Sequence, residues 1–171
     1  MRYLTLSLAA LTLVVTAPPA AAQGGAVSGL SAPYHMVHGF VVGAAEAMPE
    51  ANYSFKPTPE VRTFGLLVGH IANANYMFCS TATGEKNPNA TDFEKVSDKA
   101  ALVAALKASF DYCTKAHGMT DAKGVEPINM FGMDLNRLGV LSFNTVHDAE
   151  HYGNMVTYMR LKGLVPPSSQ P

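Results

Sequence analysis

The chain contains no tryptophan, only two cysteines, and 15% charged residues. Neither Cys79 nor Cys113 has a second cysteine nearby, which excludes zinc-finger and ribbon frameworks, whose ligands come in closely spaced pairs. Lysine and arginine never form a run, so there is no phosphate-tracking surface, and nucleic acid is excluded as an expected partner. Beyond the N-terminus no apolar stretch approaches the roughly 18 uninterrupted residues that a spanning helix needs, so no membrane span is expected.

What the N-terminus does contain is a short basic start, Met1-Arg2, an apolar run from Leu4 to Val15, and the small residues Ala20-Ala21-Ala22. That order is the pattern of a secretory signal peptide over residues 1–22, with cleavage after Ala22. The expectation is therefore an exported protein, periplasmic or secreted, whose mature chain starts at Gln23. Losing Arg2 moves the formal charge from −1 to −2. The remaining length, about 150 residues, suits one domain with a core of its own, over residues 23–171. In an oxidising compartment Cys79 and Cys113 can persist as a bridge, although two separate buried thiols fit the spacing equally well.

Periodicity and punctuation predict four helices. Residues 23–30 carry three glycines and read as a loose leader. A first helix is expected from near Ser31, with Pro33 in its first turn, to Ala47. Thr58-Pro59-Glu60 offers a hydroxyl cap, a proline at the first helical position and an acid at the positive end of the dipole, so a second helix is expected from there to Thr83, stopped by Gly84. Residues 85–96 read as a loop. Ser97 is expected to cap a third helix reaching His117. Residues 118–134 read as irregular structure, and a fourth helix is expected from Leu135 to Lys162, closed by Gly163 and Pro166-Pro167. With no strand expected, the fold class is all-α, a four-helix bundle.

The stretch His147-Asp148-Ala149-Glu150-His151 matches the letters of the H-x-x-E-H inverted zinc-peptidase pattern. The protease reading fails, because that pattern needs a third ligand downstream, typically a carboxylate, and no Asp or Glu follows His151. The pair itself remains. On a helix at about 100° per residue, Asn144, His151, Asn154 and Tyr158 fall near the direction of His147, so one face of the fourth helix is polar where a bundle helix is normally apolar. A metal site lined by Asn144, Asn154 and Tyr158 explains that face; two ordinary buried histidines bonded to the neighbouring amides explain it as well.

Among the other histidines, His70 sits mid-helix between apolar flanks and is the one most expected to be buried. His35 and His38, at the start of the first helix, suit solvated or capping roles, and His117 suits the C-terminal dipole of the third. Glu150, and Asp148 on the other side, are the carboxylates beside the pair. Glu150 is the candidate general base, although each reads more simply as a solvated helix charge.

Residues Tyr53 to Ile71, with His70 near their end, followed by His147-Asp148-Ala149-Glu150-His151, resemble the DinB-like family of four-helix metalloproteins. The resemblance implies an up-down-down-up bundle with a long crossover between helices 2 and 3. It also implies His70, His147 and His151 as ligands of one divalent metal, zinc or nickel. Parallel helices 2 and 3 would bring Cys79 and Cys113 level, which favours the bridge. Three neutral imidazoles leave the ion an exchangeable position suited to hydrolysis or to thiol activation. Some relatives resemble thiol-dependent transferases, a reading weakened here because low-molecular-weight thiols belong to reducing cytosol. The expected function is an exported metal-dependent hydrolase or transferase acting on a small molecule; the alternative is a non-catalytic metal- or ligand-binding bundle. A second copy of the chain, as a homodimer, is the one macromolecular partner to consider.

Overall fold

The computed structural model describes residues 25–170, so the expected signal segment, residues 1–22, lies outside the described residues. Four long helices form the body: α1 (Ala26–Ala47), α2 (Phe64–Thr83), α3 (Lys99–Ala116) and α5 (Arg137–Leu161). Between the last two lie a short helix, α4 (Asp121–Gly124), and a hairpin of β1 (Pro127–Met130) and β2 (Met133–Asn136).

All four long-helix starts differ from expectation: α5 begins at Arg137 because Leu135 and Asn136 belong to β2, and the other three differences have a local or tertiary cause. Helix α1 begins at Ala26 rather than Ser31, which places Pro33 inside it. Its first free amides are satisfied from far along the chain: Ala26 N and Val27 N donate to the Asp121 carboxylate at 3.1 and 2.9 Å. Helix α2 begins at Phe64, not at Thr58-Pro59. Phe64 N and Gly65 N donate to the carbonyls of Phe55 and Tyr53, so residues 53–63 lie back along the helix start as a strap, and Thr63 Oγ1 caps by accepting from Leu66 N. Asp98, one residue past Ser97, caps α3 through Ala101 N.

The hairpin replaces the irregular structure expected over residues 118–134. Met130 pairs with Met133 across a two-residue turn in which Phe131 and Gly132 both have positive φ, 54° and 78°. Asparagine-glycine is the usual signal for such a turn. An aromatic residue in the left-handed region is uncommon, which is why the turn is hard to read from the sequence.

The helix directions follow from the contacts. Helices α2 and α3 run parallel, with Asn75 beside Ser109 and a disulfide joining Cys79 to Cys113, whose Cα atoms are 5.2 Å apart. Helix α5 runs against α2: Arg137 at its start reaches the Ala82 carbonyl, and Tyr158 near its end meets Phe64. Helix α1 opposes α3, since Lys99 at the start of α3 donates to the carbonyls of Glu46 and Met48 at the end of α1. The bundle is thus up-down-down-up, and residues 85–98 cross its length. Its core holds Tyr34, Phe64, Phe78, Phe110, Leu102, Leu106, Leu141, Met155 and Met159, all almost inaccessible.

Candidate metal centre

Antiparallel packing of α2 on α5 brings His70 against the His147 and His151 pair. Their ligand atoms all lie within 4.8 Å of one another. His147 Nε2 is central, 3.3 Å from His70 Nε2 and 3.1 Å from His151 Nε2. Two nitrogens bound to one ion at about 2.0–2.1 Å are separated by about 3.0 Å in octahedral and about 3.4 Å in tetrahedral geometry. The two separations from His147 fall between those limits and the third is no more than 4.8 Å, so the three side chains form a cluster that can hold a metal ion.

The rear nitrogens differ in their surroundings. His70 Nδ1 bonds Glu94 Oε1 at 2.8 Å, and the other oxygen of Glu94 accepts from Arg62 Nε at 3.0 Å. His151 Nδ1 is 3.4 Å from the Asn154 amide. His147 Nδ1 is buried and has no hydrogen-bond partner among the described residues. Glu94 comes from the crossover, on a single 3-10 turn, Phe93–Lys95. That turn lies flush against α2 because residue 69 is glycine; a Cβ there would run into the Phe93 backbone. Asn73 secures it by accepting from Phe93 N and donating to Asp92. The result is a carboxylate–histidine pairing that fixes the ring and its tautomer.

Electrostatics favour the neutral ring at His70 and at His151. Burial lowers the proton affinity of His151, to a pKa of about 4, with the other two histidines and Arg62 acting the same way. Burial also lowers His70, partly offset by its bond to Glu94. Burial raises Glu94, but its bonds from His70 and Arg62 outweigh that and hold the carboxylate below its usual range. Neutral imidazoles are the form that ligates.

A cavity of about 250 Å³ opens beside His151. Arg62 and Val61 of the strap and Asn154 and Tyr158 of α5 line it, and Tyr158 Oη closes it by donating to the Arg62 carbonyl at 2.6 Å.

The family profile of the DinB superfamily matches residues 41–155, from within α1 to within α5 and including all three histidines. The chain belongs to the DinB superfamily. The crystal structure of a DinB-like protein from Bacillus cereus ATCC 10987 superposes with a TM-score of 0.72 at 18% identity, over 82% of this chain and 95% of that one. A DinB-like protein (YjoA) from Bacillus subtilis gives 0.67 at 22% identity, over 83% and 97%. At those identities the likeness concerns the fold. No curated protein sequence matches the chain.

Several sequence expectations change in this DinB-superfamily chain. His70 is half-buried, whereas His117, expected to sit as a cation on the dipole at the end of the third helix, is 4% exposed and has neither ring nitrogen hydrogen-bonded among the described residues. Asp148, read as a solvated charge, is fully buried. Its position explains this, since it points from α5 toward α2 and α3 beside Asn144 and Asn75. Glu150 is exposed, and no hydrogen bond or ion pair links it to the histidines among the described residues. Asn154 and Tyr158 line the cavity as expected of that face, but Asn144 is buried behind the cluster. Glu94 went unseen because it lies 24 residues beyond His70 in a segment without periodicity, and only the packing at Gly69 reveals it.

Proposed function

We propose that the protein is an exported metal-dependent enzyme, a hydrolase or transferase acting on a small molecule, with His70, His147 and His151 ligating one zinc or nickel ion. The observation that carries this reading is the convergence of three histidines whose ligand atoms lie within 4.8 Å of one another, with His147 Nε2 3.3 and 3.1 Å from the Nε2 atoms of the other two. Held there, a divalent ion supplies Lewis acidity and lowers the pKa of a water or thiol that it binds.

The chain's own residues account for the rest. Glu94 orients His70. Asn154 and Tyr158 shape the cavity. Arg62 spends Nε on Glu94, and its two terminal nitrogens have no partner among the described residues, so they are free to orient an anionic or carbonyl group of a substrate. One observation favours the non-catalytic alternative: no carboxylate lines the cavity, and Glu150, the candidate base, faces solvent. The two readings differ in whether turnover occurs.

Metal analysis of the purified protein, followed by a screen of the zinc- and nickel-loaded forms against esters, amides and thiol adducts, tests both. Stoichiometric metal with turnover supports the enzyme, and stoichiometric metal without turnover supports the binding protein. Absence of metal from both loaded forms overturns the site. Mass spectrometry of periplasmic protein tests export: a chain beginning near Gln23 is expected, and an intact Met1 there refutes it.

A further inference from the structure

Asp148 is an anomaly in the core. Its carboxylate is inaccessible to solvent, and no lysine or arginine reaches it among the described residues. Burying a carboxylate without a cation is costly, and a fold retains one only where something compensates. The hydrogen bonds available are amides. Asn144 Nδ2 donates to Oδ2 at 3.3 Å and to Asn75 Oδ1 at 2.7 Å; turning the Asn75 amide replaces the latter bond with donation from its nitrogen to the two carboxylate oxygens at 3.0 and 3.2 Å. With that orientation the Asn75 oxygen accepts from Ser109 Oγ of α3, so the carboxylate is anchored to three helices. The remaining neighbour is His147, whose Nδ1 is 3.8 Å from Asp148 Oδ1.

That nitrogen is itself anomalous, being the one rear nitrogen of the cluster with no hydrogen-bond partner. A buried ring nitrogen without a hydrogen-bond partner thus faces a buried carboxylate without a cation. Each mismatch would be penalised alone. Closing the gap by about 1 Å, to hydrogen-bond length, removes both.

We infer that Asp148 is the positioning residue for His147, accepting its Nδ1 proton so that Nε2 presents a lone pair to the metal, and supplying the buried negative charge that offsets the ion. The inference rests on the metal reading of the site. His147 is the central member of the cluster, so its tautomer governs whether all three rings can ligate together. Glu94 serves His70 from the solvent side through the crossover, and Asp148 serves His147 from the core side.

The test is Asp148→Asn, which preserves shape and removes charge. Zinc affinity, measured by chelator competition, should fall about tenfold to a hundredfold, the usual effect of losing such a partner. The metal-free variant should melt at the same temperature as metal-free wild type or higher, because an uncompensated charge has been removed. Unchanged affinity overturns the inference. If the metal-free variant is destabilised or does not fold, nitrogen-15 correlation spectra of the zinc-loaded wild type decide. They should show His147 with a protected, strongly deshielded Nδ1 proton, and a ring lacking that proton refutes the assignment. Wild type that takes up neither zinc nor nickel fails the metal reading itself, and the inference falls with it; if nickel alone binds, the same affinity comparison is made with nickel.

Discussion

The six histidines divide into two groups of three that use the imidazole ring in opposite ways. At the contact between α2 and α5, the rings meet edge to face: His147 and His151 have centroids 4.3 Å apart at 87°, and His70 and His151 4.8 Å apart at 87°. Between α1 and α3, His117 stacks on Tyr34 at 3.8 Å and His38 on Phe110 at 4.3 Å, both nearly parallel, while His35 is exposed. Edge contact points nitrogens at a shared centre. Stacking spends ring faces and leaves the nitrogens apart. Carboxylates stand behind the first group, at Glu94 and Asp148, and no carboxylate is hydrogen-bonded to the buried His117 among the described residues. A count of histidines therefore says little about a metal, and the direction of their nitrogens says a great deal.

The most severe way to break the comparison is His147→Ala, which removes the central nitrogen. It should abolish stoichiometric metal, whereas His117→Phe should leave it intact. Equal metal content in the two variants, measured by plasma mass spectrometry, would erase the distinction. Next in size is Glu94→Ala, which frees His70 to rotate; metal affinity should drop about tenfold to a hundredfold, with little change in the melting of the metal-free form. An unaltered dissociation constant would show that the crossover carboxylate does not orient the ring.

The second group should show itself through pH. Burial lowers His117 from about 6.5 to a pKa of about 4. The folded state thus keeps the ring neutral between those values while the unfolded state protonates it. Stability from this group is full above about pH 6.5, falls as pH drops toward about 4, and is flat below. The total loss is roughly 3 kcal/mol. In urea titrations at pH 7 and 4.5, His117→Phe should lose less stability on acidification than wild type, and equal losses would show that the buried ring is not the source. The smallest effect is at neutral pH. There the same substitution removes two unbonded nitrogens, keeps the stack on Tyr34, and should change stability by about 1 kcal/mol or less.

Much of the long-range plan was legible in the chain. The C-terminal end of α2 lies at Thr83, where Gly84, with φ 77°, terminates it. Helix α5 was legible almost to the residue, since Asn136 caps it through Gly139 N and Gly163 follows its end. The His147 and His151 pair needed only helical geometry. Local signals failed where a tertiary contact replaced a local one. Thr58-Pro59-Glu60 is a good helix start, yet the strap carbonyls of Tyr53 and Phe55 take the donors six residues later. The leader residues from Ala26 onward become helix because Asp121 caps them across the bundle. The stretch 118–134 read only as irregular structure, and the hairpin within it depended on Phe131 accepting a left-handed backbone.

The sequence by itself determined the helices, their amphipathic faces and the two-histidine face of α5, because those are set by spacing along one chain. Only the tertiary structure decided that His70 completes the cluster while the more deeply buried His117 does not. It also decided that Glu94 stands behind His70, and that Asp148, one residue from a polar face, is driven into the core. Helical spacing fixes where a side chain leaves its own helix. Which neighbouring helix receives it, and whether that neighbour offers a nitrogen, a ring face or a carboxylate, depends on packing between segments dozens of residues apart.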